Sequence, residues 1–240
     1  MPTLDLEEQS NKAIQEMRTY LREVESVKKY AYELNQAETT NPGWEHKLAH
    51  CRIPQRYYSA DIKNIPNNVA NDLVGFMNHE SYFIHGDVGC GKTYLICALI
   101  INYLKNMRYS VIENIDKLSV ILGGYSDPYF ISMPDMILMF KKSFKDDSEY
   151  SEDYLIDRFS NEHILLLDDI GVEKPSDWAL QTIYSIIDRR NNNMRQTVFT
   201  SNYSIKDLKD RIGERIASRI VEMCGKKNII NLKGKDRRLA

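Results

Sequence analysis

The chain reads as an α/β protein, a parallel sheet flanked by helices, and three observations carry that reading. Strand-like and helix-like signals alternate from Ile53 onward. The run Ile164-Leu165-Leu166-Leu167-Asp168-Asp169 is wholly apolar until two closing carboxylates, as suits a strand buried on both faces. The run Gly86-Asp87-Val88-Gly89-Cys90-Gly91-Lys92-Thr93 lies between an apolar stretch and a helix-forming stretch and fits G-x-x-x-x-G-K-[ST].

The elements follow in order. Residues 4–38 carry Ile14, Met17, Leu21, Val24, Ala31 and Leu34 at spacings of three or four, which predicts a long helix or a helix pair. Its apolar stripe is narrow and needs a covering surface, from its own domain, a copy of itself or a partner. Asn41-Pro42-Gly43 breaks it, so a small helical N-terminal region (1–50) is expected before a larger domain (51–240). Within the larger domain, residues 69–78 read as a helix, 82–85 as a strand and 93–107 as the helix after the glycine loop. A strand at 129–132 and a helix at 134–144 follow, with Pro134 at a tolerated early position. Strand 164–168, helix 178–191, strand 197–200, helix 205–220 and strand 228–232 complete the alternation. Residues 109–127, with Gly123 and Gly124, fit no step of it and are expected as an inserted strand and loop.

At 240 residues, 42% hydrophobic and 28% charged, the composition is that of an ordinary soluble domain with a full core. No apolar run approaches the ~20 residues that span a bilayer, and Met1-Pro2-Thr3-Leu4-Asp5 lacks a signal peptide's pattern. The four cysteines have no C-x-x-C pairing, which argues against a zinc site and for a reducing compartment; the cytoplasm is expected. Net charge is −2 but unevenly spread: residues 1–40 hold five Lys/Arg against eight Asp/Glu, residues 206–240 eleven against five. The basic C-terminal part can meet nucleic-acid phosphates or a neighbour's nucleotide, or it can be a solvated face.

A strand, a glycine turn and a helix start gather backbone N–H groups and the positive end of a helix dipole around one anion. Residues 86–93, with Tyr94 next in line, are therefore a nucleotide-phosphate site. Lys92 reaches the β and γ phosphates and the Thr93 hydroxyl a Mg²⁺ ion. Carboxylates at a strand's C-terminal end stand where open α/β sheets bind ligands. Asp168 is the expected Mg²⁺-associated acid, and Asp169 faces the other side to orient or polarise the attacking water. Asn202, at the end of the next strand, either holds that water through its amide or caps the following helix. Arg211, Arg215 and Arg219 recur every four residues, which puts them on one helical face. They serve either as a finger reaching a neighbouring subunit's phosphate or as partners of Glu214 and Glu222. Arg237 and Arg238 touch the same nucleotide in cis or form a frayed tail. Lys141 and Lys142 beside Phe140 and Phe144 suit phosphates and stacked bases, or a core helix with solvated lysines.

These motifs, GDVGCGKT, ILLLDDIGVEKPSDW, FTSN, GERIASRI and INLKGKDRR, together with Cys51-Arg52-Ile53-Pro54-Gln55-Arg56-Tyr57, resemble the AAA+ ATPases of the DnaC/DnaI helicase-loader group. The resemblance covers about residues 51–240. It implies a P-loop NTPase (AAA+) sheet without a C-terminal helical lid, with ATP and Mg²⁺ as cofactors. It makes Lys92 and Thr93 the Walker A pair, Asp168 and Asp169 the Walker B acids and Asn202 sensor 1. Arg219 becomes the arginine finger, with Arg215 second, and Arg237 and Arg238 share the place of a late basic residue near the nucleotide. It further implies a replicative DNA helicase bound through the N-terminal part, single-stranded DNA bound by the ATPase part, side-by-side homo-oligomers and slow ATP hydrolysis without partners. Two departures stand out: residues 1–50 lack the cysteine-rich metal-binding arrangement of some loaders, and Lys92 and Asp168 are 76 residues apart (168 − 92), with the 109–127 insertion between them. Transposase-helper ATPases of the IstB type share the module and are the alternative. A P-loop phosphotransferase is a more distant alternative, as is a module that holds ATP without hydrolysing it.

Overall fold

The computed structural model describes residues 44–66, 69–70, 73–106, 127–145, 147–172, 175–234 and 236. The helix expected at 4–38, residues 109–126 of the insertion, and Arg237 and Arg238 lie outside the described residues.

Five strands build one parallel sheet: β1 (Tyr82–His85), β2 (Tyr129–Ser132), β3 (Ile164–Asp168), β4 (Gln196–Ser201) and β5 (Ile229–Asn231). Their spatial order is β2-β3-β4-β1-β5. Each of β1, β2, β3 and β4 is buried along nearly its whole length; β1, β2 and β3 are accordingly apolar except at their last residue, while β4 buries Gln196, Thr197, Thr200 and Ser201 beside Val198 and Phe199. The helices between them are α1 (Lys92–Asn106), α2 (Met133–Ser143), α3 (Glu152–Asn161), α4 (Asp177–Asn192), α5 (Ile205–Ile212) and α6 (Glu214–Cys224). Four of them start on serine caps: Ser132, Ser151, Ser176 and Ser204 each accept from the N–H three residues on. One face of the sheet packs Phe83, Leu165, Leu167 and Phe199 against Phe140, Phe159, Ile183, Ile187, Ile216 and Ile220.

Four expectations are corrected. Residues 205–220 are two helices, because Gly213 adopts φ 88° and ψ 153°, closing α5 and opening α6. Only glycine takes that conformation without strain. The arginine stripe is broken with it: Arg211 turns back onto the β3–α4 loop, donating to the carbonyls of Gly171 and Val172 and lying 4.2 Å from the Tyr203 ring. Second, α3 is a full helix that the periodicity did not predict. Only Leu155, Ile156 and Phe159 carry its apolar face, too few for the pattern, although Ser151 caps the Tyr154 N–H. Third, the end of the segment at 69–78 is a 3-10 helix, Val74–Asn78, which His79 stops at a left-handed φ of 63°. Fourth, Phe140 is buried beneath α2 and cannot stack on a base, while Phe144 is 55% exposed.

The segment leading into the sheet packs on it. Leu48 and Cys51 are buried, the Phe130 N–H donates to the Cys51 carbonyl, and Lys47 pairs with Asp127 at 2.8 Å. Beneath β4, Arg190 is a fully buried structural cation. It donates to the carbonyls of Phe159, Glu162 and Gln196 and to the Thr197 hydroxyl, tying the end of α3 and the start of β4 to α4. Burial pulls its pKa down to about 9.

Candidate functional site

Because all strands are parallel, the C-terminal ends of β1, β3 and β4 share one edge, with β4 between the other two. The phosphate loop follows β1, Asp168 and Asp169 close β3, and Asn202 follows β4. The register sets Leu167 opposite Phe199, so Asp168 and Thr200 arrive side by side. Gly86 opens the loop where a Cβ would collide with the Leu232 carbonyl, whose own N–H donates to the His85 carbonyl. The segment after β5 thus closes against the loop.

Lys92 is almost fully buried, and its ammonium is engaged on three sides. It donates to the Gly86 carbonyl (2.8 Å), the Asp87 carbonyl (2.9 Å) and the Asn202 Oδ1 (2.6 Å). The cap of α5 is Ser204, so Asn202 is not the helix cap and its amide faces Lys92 instead. The Thr93 hydroxyl donates to Asp168 Oδ2 at 3.0 Å, and the Thr200 hydroxyl donates to Asp168 Oδ1. Asp169 sits at a left-handed φ of 58°, which turns it to the opposite side from Asp168 and into the cleft. Its N–H donates to the Thr200 hydroxyl. Burial pushes the Asp168 pKa up to about 6, assisted by the neighbouring Asp169 charge and opposed by the two threonine hydrogen bonds and Lys92.

Lys92, Thr93, Asp169 and Asn202 line a cleft of about 330 Å³ together with Val88, Gly89, Gly91 and Tyr94, while Asp168 and Thr200 are buried beyond Thr93. Two further walls, Arg56 and Tyr57, were not named as site residues from the sequence. The Arg56 guanidinium lies 4.6 Å from the Tyr57 ring, and the pair stands across the cleft from the loop. Tyr94 carries them: its hydroxyl accepts from the Asp61 N–H and from Asn64 Nδ2, both at 3.1 Å, joining α1 to the loop that follows Tyr57. A neighbouring Arg-Tyr pair was the sequence signal for this wall, but nothing local says that it folds back over a loop thirty residues on. Thr200 is the other residue the sequence reading passed over.

The donor set fits a nucleoside triphosphate with a hard divalent cation. A loop of N–H groups and Lys92 face an anion, and the Thr93 hydroxyl and Asp168 carboxylate, close together, are the oxygen donors that Mg²⁺ takes. Bound there, Mg²⁺ would neutralise charge building on the phosphates.

Arg219 is half-buried on α6, with its Nε 2.7 Å from Asp188 Oδ1 on α4 and its NH1 2.6 Å from Glu222 Oε2. Its pKa is raised, foremost by Glu222 and then by Tyr184 and Asp188. Arg215 is exposed on the same helix. Neither lines the cleft of this chain.

The sheet, its helices and the phosphate loop define the AAA+ class of P-loop NTPases. No family model matches the chain. Its sequence is 30% identical over 143 residues to the replicative helicase loader DnaC of Buchnera aphidicola subsp. Baizongia pistaciae, covering 60% of this chain and 51% of that protein. The chain thus spans about half the length of the curated relatives it matches. In three dimensions it resembles the crystal structure of the DnaC helicase loader (TM-score 0.58, 26% identity, 75% of this chain and all of that one). The fold is also shared with the replication initiator DnaA bound to AMPPCP and single-stranded DNA (TM-score 0.54, 16% identity, 76% of this chain and 51% of that one). The resemblance to AAA+ helicase loaders of the DnaC type, drawn from the motifs, is borne out.

Proposed function

We propose that the chain is an ATPase that loads or remodels a hexameric replicative DNA helicase. The observation that carries this reading is the convergence of Lys92, Thr93, Asp169 and Asn202 in one cleft, with Asp168 bonded to Thr93 behind it, at one edge of a sheet that resembles DnaC. ATP is held by residues 86–94, with its phosphates against Lys92 and Mg²⁺ at Thr93 and Asp168. Asp169 polarises the attacking water, and Asn202 passes from Lys92 to that water or to the γ-phosphate. Arg56 and Tyr57 cover the base. Arg219, or Arg215 beside it, acts on the nucleotide of the next subunit, so the assembled homo-oligomer is the active form. Arg219 must then leave Glu222. Binding of ATP favours the assembled state and hydrolysis releases it.

Residues 1–50 contact the helicase, their stretch from Trp44 onward resting on the ATPase unit. Single-stranded DNA follows α2, where Lys141 and Lys142 are exposed and Phe144 stacks edge-on against Trp178 at 4.8 Å. The expected setting is the cytoplasm; among the described residues no helix is long and apolar enough to cross a membrane.

The deciding experiment measures ATP turnover with and without single-stranded DNA across protein concentration, in wild type and Arg219→Ala, alongside co-sedimentation with a replicative helicase hexamer. Turnover that rises with concentration and DNA and falls by about 10³ or more in the variant is expected. Turnover flat in concentration and indifferent to Arg219, or no association with the helicase, overturns the reading.

A further inference from the structure

Of the three arginines spaced four apart, Arg215 and Arg219 stand on α6, and Arg211 stands apart from them at the end of α5. A cation in the last turn of a helix ordinarily answers that helix's own free carbonyls. Arg211 spends two of its donors elsewhere. Half-buried, it donates through Nε to the Gly171 carbonyl and through NH2 to the Val172 carbonyl at 3.0 Å. Both carbonyls belong to the loop that follows Asp168, the last residue of β3, and that carries Asp169. The carbon of the same guanidinium lies 4.2 Å from the centre of the Tyr203 ring, and Tyr203 is next in sequence to Asn202.

The loop after β3 is one that needs holding. Asp169 is a non-glycine residue at a left-handed φ of 58°, and Gly171 follows at φ 83°. Backbone of this kind persists only where its surroundings over-determine it. Helix α5 supplies them. A Cβ on Gly171 would stand 2.4 Å from Leu208 Cδ1, and the Tyr203 ring and the Ile212 side chain flank the same point at 3.7 and 3.9 Å. Leu208 and Arg211, three residues apart, share the face of α5 that meets the loop. Leu208 fills the space against Gly171, while Arg211 fixes the direction of the two carbonyls. The loops after β3 and β4 are joined at their roots as well: the Tyr203 N–H donates to the Ser201 hydroxyl, which itself donates to the Ile170 carbonyl at 2.7 Å.

We propose that Arg211 is a positioning residue for ATP hydrolysis: it locks the Asp169 loop to the Asn202 loop, so that acid and amide present one fixed geometry to the attacking water. This rests on the roles given above to Asp169 and Asn202. A guanidinium suits the task, since one rigid, permanently charged plane offers a fork of donors to two carbonyls and a cation to an aromatic ring. A misplacement of about 1 Å among the groups around a reacting atom costs on the order of 10² in rate. Arg211 does not line the cleft, so nucleotide binding itself needs little from it.

The test compares wild type, Arg211→Ala and Arg211→Lys in the full chain by hydrogen exchange and by ATP turnover. In Arg211→Ala the amides of Ile170 and Tyr203 should exchange at least tenfold faster, while that of Leu95, bonded to the Gly91 carbonyl beside the phosphate loop, keeps its rate. The kcat should fall at least tenfold, with the affinity for a fluorescent ATP analogue within about threefold of wild type. Arg211→Lys, which keeps the charge but not the fork, should fall between the two on both readouts. In an Asp169→Asn background, Arg211→Ala should cost at least threefold less than in wild type, because the acid it positions is already gone. Unchanged exchange at Ile170 and Tyr203, equal acceleration at Leu95, rate losses that multiply in full, or a loss of affinity matching the loss of rate overturns the proposal. A wild type that turns over no ATP overturns the proposed function, and the exchange comparison alone then decides whether Arg211 holds the two loops together.

Discussion

Replacing Asp168 with Asn should make the nucleotide-free protein more stable, and only above the pH at which Asp168 ionises. The carboxyl is 4% exposed and its pKa is displaced from 3.8 to about 6, burial being the largest cause. That displacement corresponds to about 3 kcal/mol of penalty on the charged form. The sign follows from linkage: a raised carboxyl pKa means the folded state binds the proton more tightly than the unfolded chain. The folded state therefore loses stability as pH rises from about 4 through about 6, and above that the full penalty is present. An amide is isosteric and carries no charge, but it meets the Thr93 and Thr200 hydroxyls less well than a carboxylate does. Allowing about 1–2 kcal/mol for those bonds leaves a net gain of about 1–2 kcal/mol, a rise in melting temperature of about 3–6 °C for a chain of this size. The assay is thermal unfolding of both proteins in EDTA without nucleotide, from pH 4.5 to 8. The difference between the two curves should open between pH 4.5 and 6.5 and then level. A difference independent of pH, or a variant less stable at pH 7.5, would refute the argument that burial of this charge is what displaces its pKa. Magnesium-dependent turnover should be lost in the same variant.

Three further outcomes are expected. Asn202→Ala should leave nucleotide affinity, measured with a fluorescent ATP analogue, within about threefold of wild type while slowing hydrolysis about 10²-fold, because Lys92 keeps its two carbonyl partners and the water loses its amide. Asp236→Asn should tighten ATP binding about three- to tenfold at low salt: the Asp236 carboxylate stands directly over Gly89 of the phosphate loop and repels the incoming phosphates. Unchanged affinity would show that this carboxylate swings clear before ATP arrives. Gly213→Ala should cost about 1–3 kcal/mol in chemical denaturation, because alanine at φ 88° and ψ 153° is strained even though no atom lies within 4 Å of the added methyl.

Local chemistry carries a long way in this chain. The phosphate loop, the two acids closing β3 and the strands 82–85, 129–132 and 164–168 are legible in sequence, because a G-x-x-x-x-G-K-[ST] run needs specific backbone freedom and these three strands, buried on both faces, are apolar up to their last residue. Parallel strands then oblige their C-terminal ends to share an edge, so Lys92, Asp168 and Asn202 could be expected together before any coordinates. The helix cap was less readable, since Asn202 and Ser204 are both good caps and only the structure gives the cap to Ser204 and the amide to Lys92.

Other features depend on which distant segments meet, and there the sequence is silent. A glycine inside a helical pattern costs only about 1 kcal/mol, so Gly213 does not by itself announce a break. The break is seen only in the backbone, where Gly213 at φ 88° and ψ 153° ends α5 and starts α6, each helix then burying its own pair, Leu208 with Ile212 and Ile216 with Ile220. Arg56 and Tyr57 become a wall of the cleft only because Tyr94 pins their loop through Asp61 and Asn64. The raised pKa of Asp168 likewise arises from burial among residues far away in sequence. The sequence by itself thus determined the fold class, the phosphate loop and the edge at which chemistry occurs, because those rest on backbone geometry and nearest neighbours. Only the tertiary structure decided which charges are buried, paired or left without a partner, because electrostatic environment is set by long-range packing.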